Sequence, residues 1–175
     1  TPTDPSQLVV HLREALDHSI PTYIRIGKKG EPDILDAHKS LGIGKANLIK
    51  QGEKILLLGI GPILSEAIKA RSILKKKGIK LGIASMGSIK PLDETFLHKR
   101  AKENYSHWFT LEEHQKHGGL GSTLLEWMND NSITGIKTKT IGIENKFIHE
   151  LGSREYSIAK EGIDSLGIVE EICRI

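Results

Sequence analysis

The stretch of sequence with the most chemical potential is TLEEHQKHGGLGS, residues 110–122, which holds two glutamates, two histidines and three glycines. Paired carboxylates suit general acid–base catalysis, closely spaced histidines suit a metal, and a glycine-rich turn before a helix suits a phosphate. A strand-to-helix turn without chemistry of its own has the same composition. The neighbouring sequence must decide between these four uses.

The spacing of His114 and His117 would place both rings on one metal only if the segment were helical. Gly118 and Gly119 follow directly, and this favours a turn over a helix. The single cysteine, Cys173, offers no second metal ligand of its kind. We therefore expect no metal site here.

Glu112 and Glu113 end a predicted strand, so their side chains point to opposite faces and do not form an acid–base pair around one bond. Glu113 and His114 could form a hydrogen-bonded couple at the carboxyl end of the strand, where ligands of parallel α/β folds bind. The same couple would serve equally well as a structural lock of the turn. The residues alone leave both interpretations open.

The turn GIGPIL, residues 59–64, begins like the dinucleotide fingerprint G-x-G-x-x-G. Leu64 replaces the third glycine, and the next strand, KLGIAS, ends without the acidic residue that binds a ribose. A tight turn with Pro62 at the start of a helix explains the same residues. This interpretation is preferred to a nucleotide-binding α/β domain.

The composition excludes several classes of partner. Lysine and arginine number 25 against 22 acidic residues, and a net charge of +3 does not predict nucleic-acid binding. No apolar run approaches the ~20 residues that cross a membrane. One cysteine cannot form an internal disulfide, which fits a reducing, cytoplasmic setting.

Helices and strands are predicted to alternate along most of the chain. The alternation is typical of a three-layer α/β/α domain with a mostly parallel sheet of about five strands. The apolar run ILLLGI is predicted to be an interior strand of that sheet. Helices are predicted at 4–17, 62–77, 91–103, 118–131, 152–160 and 164–173, and strands at 20–26, 46–60 (two short strands), 80–85, 106–112 and 136–143.

The first helix and strand stand apart from this alternation. Asp4 is predicted to cap the helix, with Pro5 at its first position. The segment GKKGEPD, residues 27–33, is predicted to be a linker that follows the strand at 20–26. One apolar face of the helix is predicted from the spacing of Leu8, Leu12, Ala15 and Leu16.

Taken in order, four segments of the chain resemble the C-terminal domain of transketolase and its thiamine-diphosphate relatives. The segments are LLLGIGP, SIKPLDETFL (88–97), TLEEHQKHGGLGS and GIENKFIHELGS (142–153). The resemblance spans roughly residues 45–175. The first part, with TPTDPSQLVVHLREAL and IPTYIRIGKKG, resembles the last helix and strand of the preceding pyrimidine-binding domain.

The resemblance implies a domain organisation. Residues 1–35 would be the end of the pyrimidine-binding domain with a linker, and residues 36–175 a transketolase-like C-terminal domain. The first residue is Thr1 rather than methionine. We therefore expect the chain to be a fragment of a longer enzyme.

The resemblance also implies substrate-binding residues. In the family a basic residue at the end of the 20–26 strand reaches the phosphate of the sugar substrate, and Arg25 and Lys28 are the matching positions. Lys28 stands where transketolases usually have arginine. Lysine offers a point charge in place of a two-pronged fork, so the contact would be weaker or different. The alternative is that Lys28 is a solvated linker residue.

The family uses thiamine diphosphate and Mg²⁺, which it binds through a G-D-G…N-N segment that this sequence lacks. The resemblance therefore implies that the cofactor and the catalytic residues belong to other domains of the full-length enzyme. That enzyme would transfer a two-carbon ketol unit between sugar phosphates. This part would pack against the remaining domains or subunit and support a homodimer.

Three alternatives remain open. The chain could belong to deoxyxylulose-phosphate synthase or to the beta subunit of a keto-acid dehydrogenase, which are relatives of transketolase. The basic residues of IRIGKK favour a sugar phosphate over a simple keto acid. The third alternative is a non-catalytic assembly module that binds a partner subunit.

Overall fold

The computed structural model describes residues 1–27, 30–35 and 41–175, which contain six helices and five strands. From residue 46 onward every predicted element is present, with shifts of a few residues at its ends. The helices are α1 (Pro5–Asp17), α2 (Leu64–Lys76), α3 (Glu94–Ala101), α4 (Leu120–Asp130), α5 (Arg154–Lys160) and α6 (Ser165–Cys173). The strands are β1 (Asn47–Lys50), β2 (Lys54–Ile60), β3 (Gly82–Ser85), β4 (Tyr105–Gln115) and β5 (Lys137–Ile143).

The five strands form one sheet in the order β1-β3-β2-β4-β5. β1 runs antiparallel to β3, and the other neighbours are parallel. The sheet is therefore mostly parallel, as predicted. β2 lies at its centre with six consecutive buried residues, which explains why its sequence is apolar on both faces.

Two apolar clusters cover the two faces of the sheet. Ile55 and Leu57 of β2 pack with residues of α2, α5 and α6 on one face. Leu56 and Leu58, which point the other way, pack with residues of α3 and α4. The domain thus has the predicted α/β/α layers, and β2 and β4 end at the same edge as α2 and α4 begin.

The segment SIKPLDETFL ties two loops together at this edge. Asp93 caps α3 by accepting a hydrogen bond from the Phe96 N–H at 2.9 Å, and its other carboxylate oxygen accepts from the Ala46 N–H at 2.9 Å. The Ser88 hydroxyl accepts from the Gly44 N–H at 2.8 Å. These contacts hold the segment before β1 against the loop before α3.

α1 begins where the sequence predicts, but its buried side is polar. Asp4 accepts a hydrogen bond from the Gln7 N–H and caps the helix. Gln7 and His11 are buried, whereas Leu12 and Leu16 are 45% and 84% exposed. The predicted apolar side, with Leu12 and Leu16, is therefore the exposed side of α1. The polar side of α1 meets polar groups at the end of β3, such as the Ser85 hydroxyl.

The predicted strand at 20–26 is not formed in the 175-residue chain. These residues follow α1 across the carboxyl edge of the sheet and make no ladder with any described strand. The alternating sequence suits a strand, but a strand needs a neighbour to pair with. The edges of this sheet are β1 and β5, so no pairing edge lies at this position.

No helix within residues 1–27, 30–35 and 41–175 is both long enough and apolar enough to cross a lipid bilayer.

Candidate functional site

A large cleft lies at the carboxyl edge of the sheet. It has a volume of about 630 Å³ and separates residues 18–25 from the ends of β2 and β4. Carboxyl ends of parallel strands are the usual ligand-binding edge of α/β folds. The titratable side chains that line the cleft are His18, Tyr23, Arg25, Lys90, Glu112 and His114.

Glu112 closes the floor of this cleft and is 1% exposed. Its carboxylate accepts hydrogen bonds from the Leu120 N–H at 2.8 Å and the Gly121 N–H at 3.0 Å. These N–H groups belong to the first turn of α4 and have no partner within the helix. The anionic group at the start of α4 is therefore a carboxylate of the same chain.

Burial raises the pKa of Glu112 above its ordinary value, because a carboxylate removed from water loses solvation. The two backbone hydrogen bonds and the charge of His114 act in the opposite direction but do not cancel the effect of burial. His114 Nδ1 lies 4.0 Å from the nearer carboxylate oxygen. Glu112 thus carries its charge into an apolar site to cap a helix.

The glycines of the GGLGS segment make this approach possible. Gly118 has a φ of +76°, in the left-handed region that favours glycine. A Cβ at Gly119 would overlap the Glu112 carboxylate. The segment is therefore a strand-to-helix junction whose glycines make room for a buried carboxylate.

Glu113 points to the other face of the sheet, as predicted, and meets Arg154 at the start of α5. The guanidinium binds the carboxylate with two prongs, at 2.9 Å from Nε to Oε1 and 2.8 Å from Nη2 to Oε2. Hydrogen bonding to Glu113 raises the pKa of Arg154, so the guanidinium stays charged.

Glu113 and His114 do not form the hydrogen-bonded couple that the sequence allows. The Glu113 carboxylate is occupied by Arg154, and His114 Nδ1 lies 2.7 Å from the carbonyl oxygen of Gln115. The side chains separate because consecutive strand residues face opposite sides of a sheet. The geometry favours a structural role for Glu113 over a catalytic couple with His114, and its partner in that role is Arg154.

Of the two predicted substrate-binding residues, Arg25 lies at the cleft and Lys28 lies outside the described residues. Arg25 Nη2 donates a hydrogen bond to the carbonyl oxygen of Glu113 at 2.9 Å. This contact places Arg25 beside the junction of β4 and α4. Its role toward a substrate stays a prediction.

Two cations near this edge were missed from the sequence. Lys90 lines the same cleft, and Arg154 binds Glu113. The sequence does carry a signal for Arg154. Ser153 caps α5, so Arg154 lies in the first turn of the helix, where the helix dipole disfavours a positive charge. Such a residue needs a specific carboxylate, and Glu113 is that carboxylate.

His114 and His117 are the two histidines whose spacing raises the question of a metal site. Within the described ranges no three histidine, cysteine or acidic side chains cluster closely enough to hold a metal ion. His114 belongs to β4 and His117 follows the strand, so the helical arrangement that the spacing would need is not formed.

Replacing Glu112 by glutamine should change how stability depends on pH. The folded chain keeps the Glu112 proton to higher pH than the unfolded chain, whose pKa is near 4.5. This group therefore stabilises the wild type most below pH 4.5, and its contribution is lost as pH rises through the raised pKa. Urea unfolding at a series of pH values should show that the stability of wild type, measured relative to Glu112→Gln, declines as pH rises through this range.

Glu126→Gln, on the exposed face of α4, is the matched control and should keep the decline. If Glu112→Gln showed the same pH dependence as wild type, the raised pKa of Glu112 would be refuted.

Comparison with known proteins agrees with this architecture. The family described as transketolase, C-terminal domain, matches residues 44–171. A solved structure described as a split-gene transketolase, an inactive beta4 tetramer, superposes with a TM-score of 0.89 at 25% identity. The similarity covers 99% of this chain and 55% of that one.

Curated relatives extend the similarity to the N-terminal segment. The 1-deoxy-D-xylulose-5-phosphate synthase of Prochlorococcus marinus (strain NATL2A) is 33% identical over 174 residues, 98% of this chain and 26% of that protein. One subunit of the apulose-4-phosphate transketolase of Phocaeicola vulgatus is 30% identical over 167 residues, 93% of this chain and 52% of that protein. The chain thus spans about half or less of each relative, and it belongs to the transketolase C-terminal domain family.

Proposed function

We propose that this chain is the C-terminal part of a thiamine-diphosphate-dependent transketolase, in which it serves domain packing and assembly. The complete cytoplasmic enzyme, a homodimer, transfers a two-carbon ketol unit between sugar phosphates. Residues 1–35 are the end of the pyrimidine-binding domain with its linker, and residues 36–175 are the C-terminal domain. The observation that carries the proposal is the outward-facing apolar side of α1.

We call this side, formed by Val9, Leu12 and Leu16, the outer face of α1. The three residues lie at helical spacing and are 46%, 45% and 84% exposed. Apolar residues gathered on one side of a helix usually mark a contact surface. A helix whose polar side meets the C-terminal domain and whose apolar side is bare fits the last helix of a preceding domain.

The segment after α1 supports the same assignment. Ile20 and Tyr23 are 69% and 87% exposed, although their sequence is typical of a strand. Paired into the sheet of a preceding domain, these residues would bury their side chains and satisfy their backbone groups. The relatives described as a transketolase subunit and a split-gene transketolase suggest that such domains or subunits assemble with this one.

The cleft beside Arg25 supports a sugar phosphate as substrate. Arg25 and Lys90 bring two cations to its lining, and the one carboxylate among the described lining residues, Glu112, is already bonded to α4. Two cations against one carboxylate leave the described lining with a net positive charge, which favours a phosphate. In this proposal Arg25 and Lys28 bind the phosphate in the full-length enzyme.

The Mg²⁺ that accompanies thiamine diphosphate needs a cluster of oxygen ligands. The described residues contain no cluster of three or more acidic, histidine or cysteine side chains that could bind Mg²⁺. We therefore derive no catalytic step from this chain and assign the cofactors to the remaining domains of the enzyme.

A second candidate is the C-terminal part of 1-deoxy-D-xylulose-5-phosphate synthase. It is favoured by the names of several relatives that are 33% identical over nearly the whole chain. Both candidates use a phosphorylated sugar and share the predicted role of Arg25. Formation of 1-deoxy-D-xylulose 5-phosphate by the assembled enzyme would select the second candidate.

The double variant Leu12→Glu, Leu16→Glu tests the assembly role. In the isolated chain it should unfold at the wild-type temperature, because both leucines are exposed. In the assembled enzyme it should lower the free energy of unfolding by roughly 2 kcal/mol or more per leucine, the cost of exposing a buried leucine. Thermal unfolding of both forms makes the comparison.

Leu166→Glu, an exposed leucine on α6, is the matched control and should leave both forms unchanged. Equal stability of wild type and the double variant in the assembled enzyme would refute the contact.

Arg25→Ala and Lys28→Ala test the substrate. Each should raise KM for phosphorylated sugars by about tenfold or more, because a hydrogen bond to a charged group contributes ~1.5–3 kcal/mol. KM for unphosphorylated donors should change much less. Lys77→Ala, at the far end of α2, is the control. An equal increase for both kinds of donor would argue against a phosphate contact.

A further inference from the structure

The end of β4 contains an irregular stretch that exposes a backbone acceptor. Leu111 pairs with Ile141 and Gln115 with Ile143, so the three residues 112–114 stand opposite the single residue Gly142. A bulge of this kind interrupts the ladder and re-aims the groups within it. The Glu113 carbonyl, inside this stretch, accepts a hydrogen bond from Arg25.

Side chains hold this bulge from both faces of the sheet. Glu112 is fixed by the first turn of α4, and Glu113 is fixed by the two-pronged contact with Arg154. The Arg154 and Glu113 side chains are 32% and 22% exposed, so the pair is partly shielded from water. Two parallel hydrogen bonds define both the distance and the orientation of Glu113.

Arg25 is joined to this arrangement through a single described hydrogen bond. Its Nη2 group donates to Glu113, which leaves most of the five guanidinium N–H donors for other partners. Arg25 and Arg154 also line a second cleft of about 370 Å³, which adjoins the same end of β4. Arg154, Glu113 and Arg25 therefore form one continuous series of contacts.

We propose that Arg154 is a positioning residue for Arg25. By fixing the Glu113 side chain, Arg154 holds the Glu113 carbonyl where it anchors the Arg25 guanidinium at the large cleft. The consequence for catalysis rests on the proposed function of Arg25, whereas the anchoring itself does not. Arg154 comes from α5, so α5 sets the position of a residue on the N-terminal segment.

Arg154→Met tests the anchoring in the 175-residue chain, because methionine keeps much of the side-chain volume and removes the fork. The expected result is a drop in the ¹⁵N order parameters of residues 22–27, from a rigid value of about 0.85 toward 0.6. Arg25→Ala removes the donor of the hydrogen bond to the Glu113 carbonyl and should lower the order parameters of the same residues by a similar amount. Arg154→Lys should fall between Arg154→Met and wild type.

Lys160→Met is the matched control, because it removes another ion pair of α5, with Glu150, that does not involve Glu113. It should leave residues 22–27 as in wild type. Unchanged order parameters in Arg154→Met would overturn the proposal. So would an equal drop in Lys160→Met, since the effect would then be a general loosening of α5. Glu113→Gln is a second, milder variant if Arg154→Met does not fold.

Steady-state kinetics of the assembled enzyme separates this inference from the proposed function. Arg154→Met should raise KM for phosphorylated donors roughly threefold to tenfold, the size of one net hydrogen bond. Its kcat should stay near wild type. An increase with Arg25→Ala but none with Arg154→Met would overturn the positioning role alone. Loosening of residues 22–27 without any KM change in Arg25→Ala would support the positioning role and refute the substrate contact.

Discussion

The buried Glu112 carboxylate is the interaction on which this edge of the domain depends. A carboxylate in an apolar site is costly unless donors surround it, and here two N–H groups of α4 do so. The same contact satisfies backbone groups that would otherwise lack partners at the helix start. It joins the end of β4 to the first turn of α4, and Gly119 leaves the space that the carboxylate fills.

The neighbouring Glu113 extends this constraint to the opposite face of the sheet. Because consecutive strand residues alternate in direction, one pair of glutamates can bind α4 on one side and α5 on the other. Where the pairing of β4 with β5 is irregular, the Glu113 carbonyl accepts a hydrogen bond from Arg25. Through this group the N-terminal segment is fastened to the carboxyl edge, where α/β folds bind their ligands.

The sequence predicts most of the domain, because alternating apolar helices and strands with glycine turns leave few arrangements. It fails where a residue's partner is not determined by local pattern. The spacing of Leu12 and Leu16 predicts an apolar face but not which neighbour covers it, and the segment 20–26 has strand-like residues without a strand beside it. The pairing of Arg154 with Glu113 is not predictable from local sequence, because the two residues are 41 positions apart.

The glutamates of TLEEHQKHGGLGS build a junction between β4, α4 and α5, and we propose that they take no part in proton transfer. The most direct test is kcat of the proposed full-length enzyme carrying Glu112→Gln, measured well below its melting temperature. Our account predicts a kcat within about threefold of wild type, since no reacting group depends on this proton. A loss of roughly 10²–10⁴-fold, the usual contribution of a general acid or base, would contradict it.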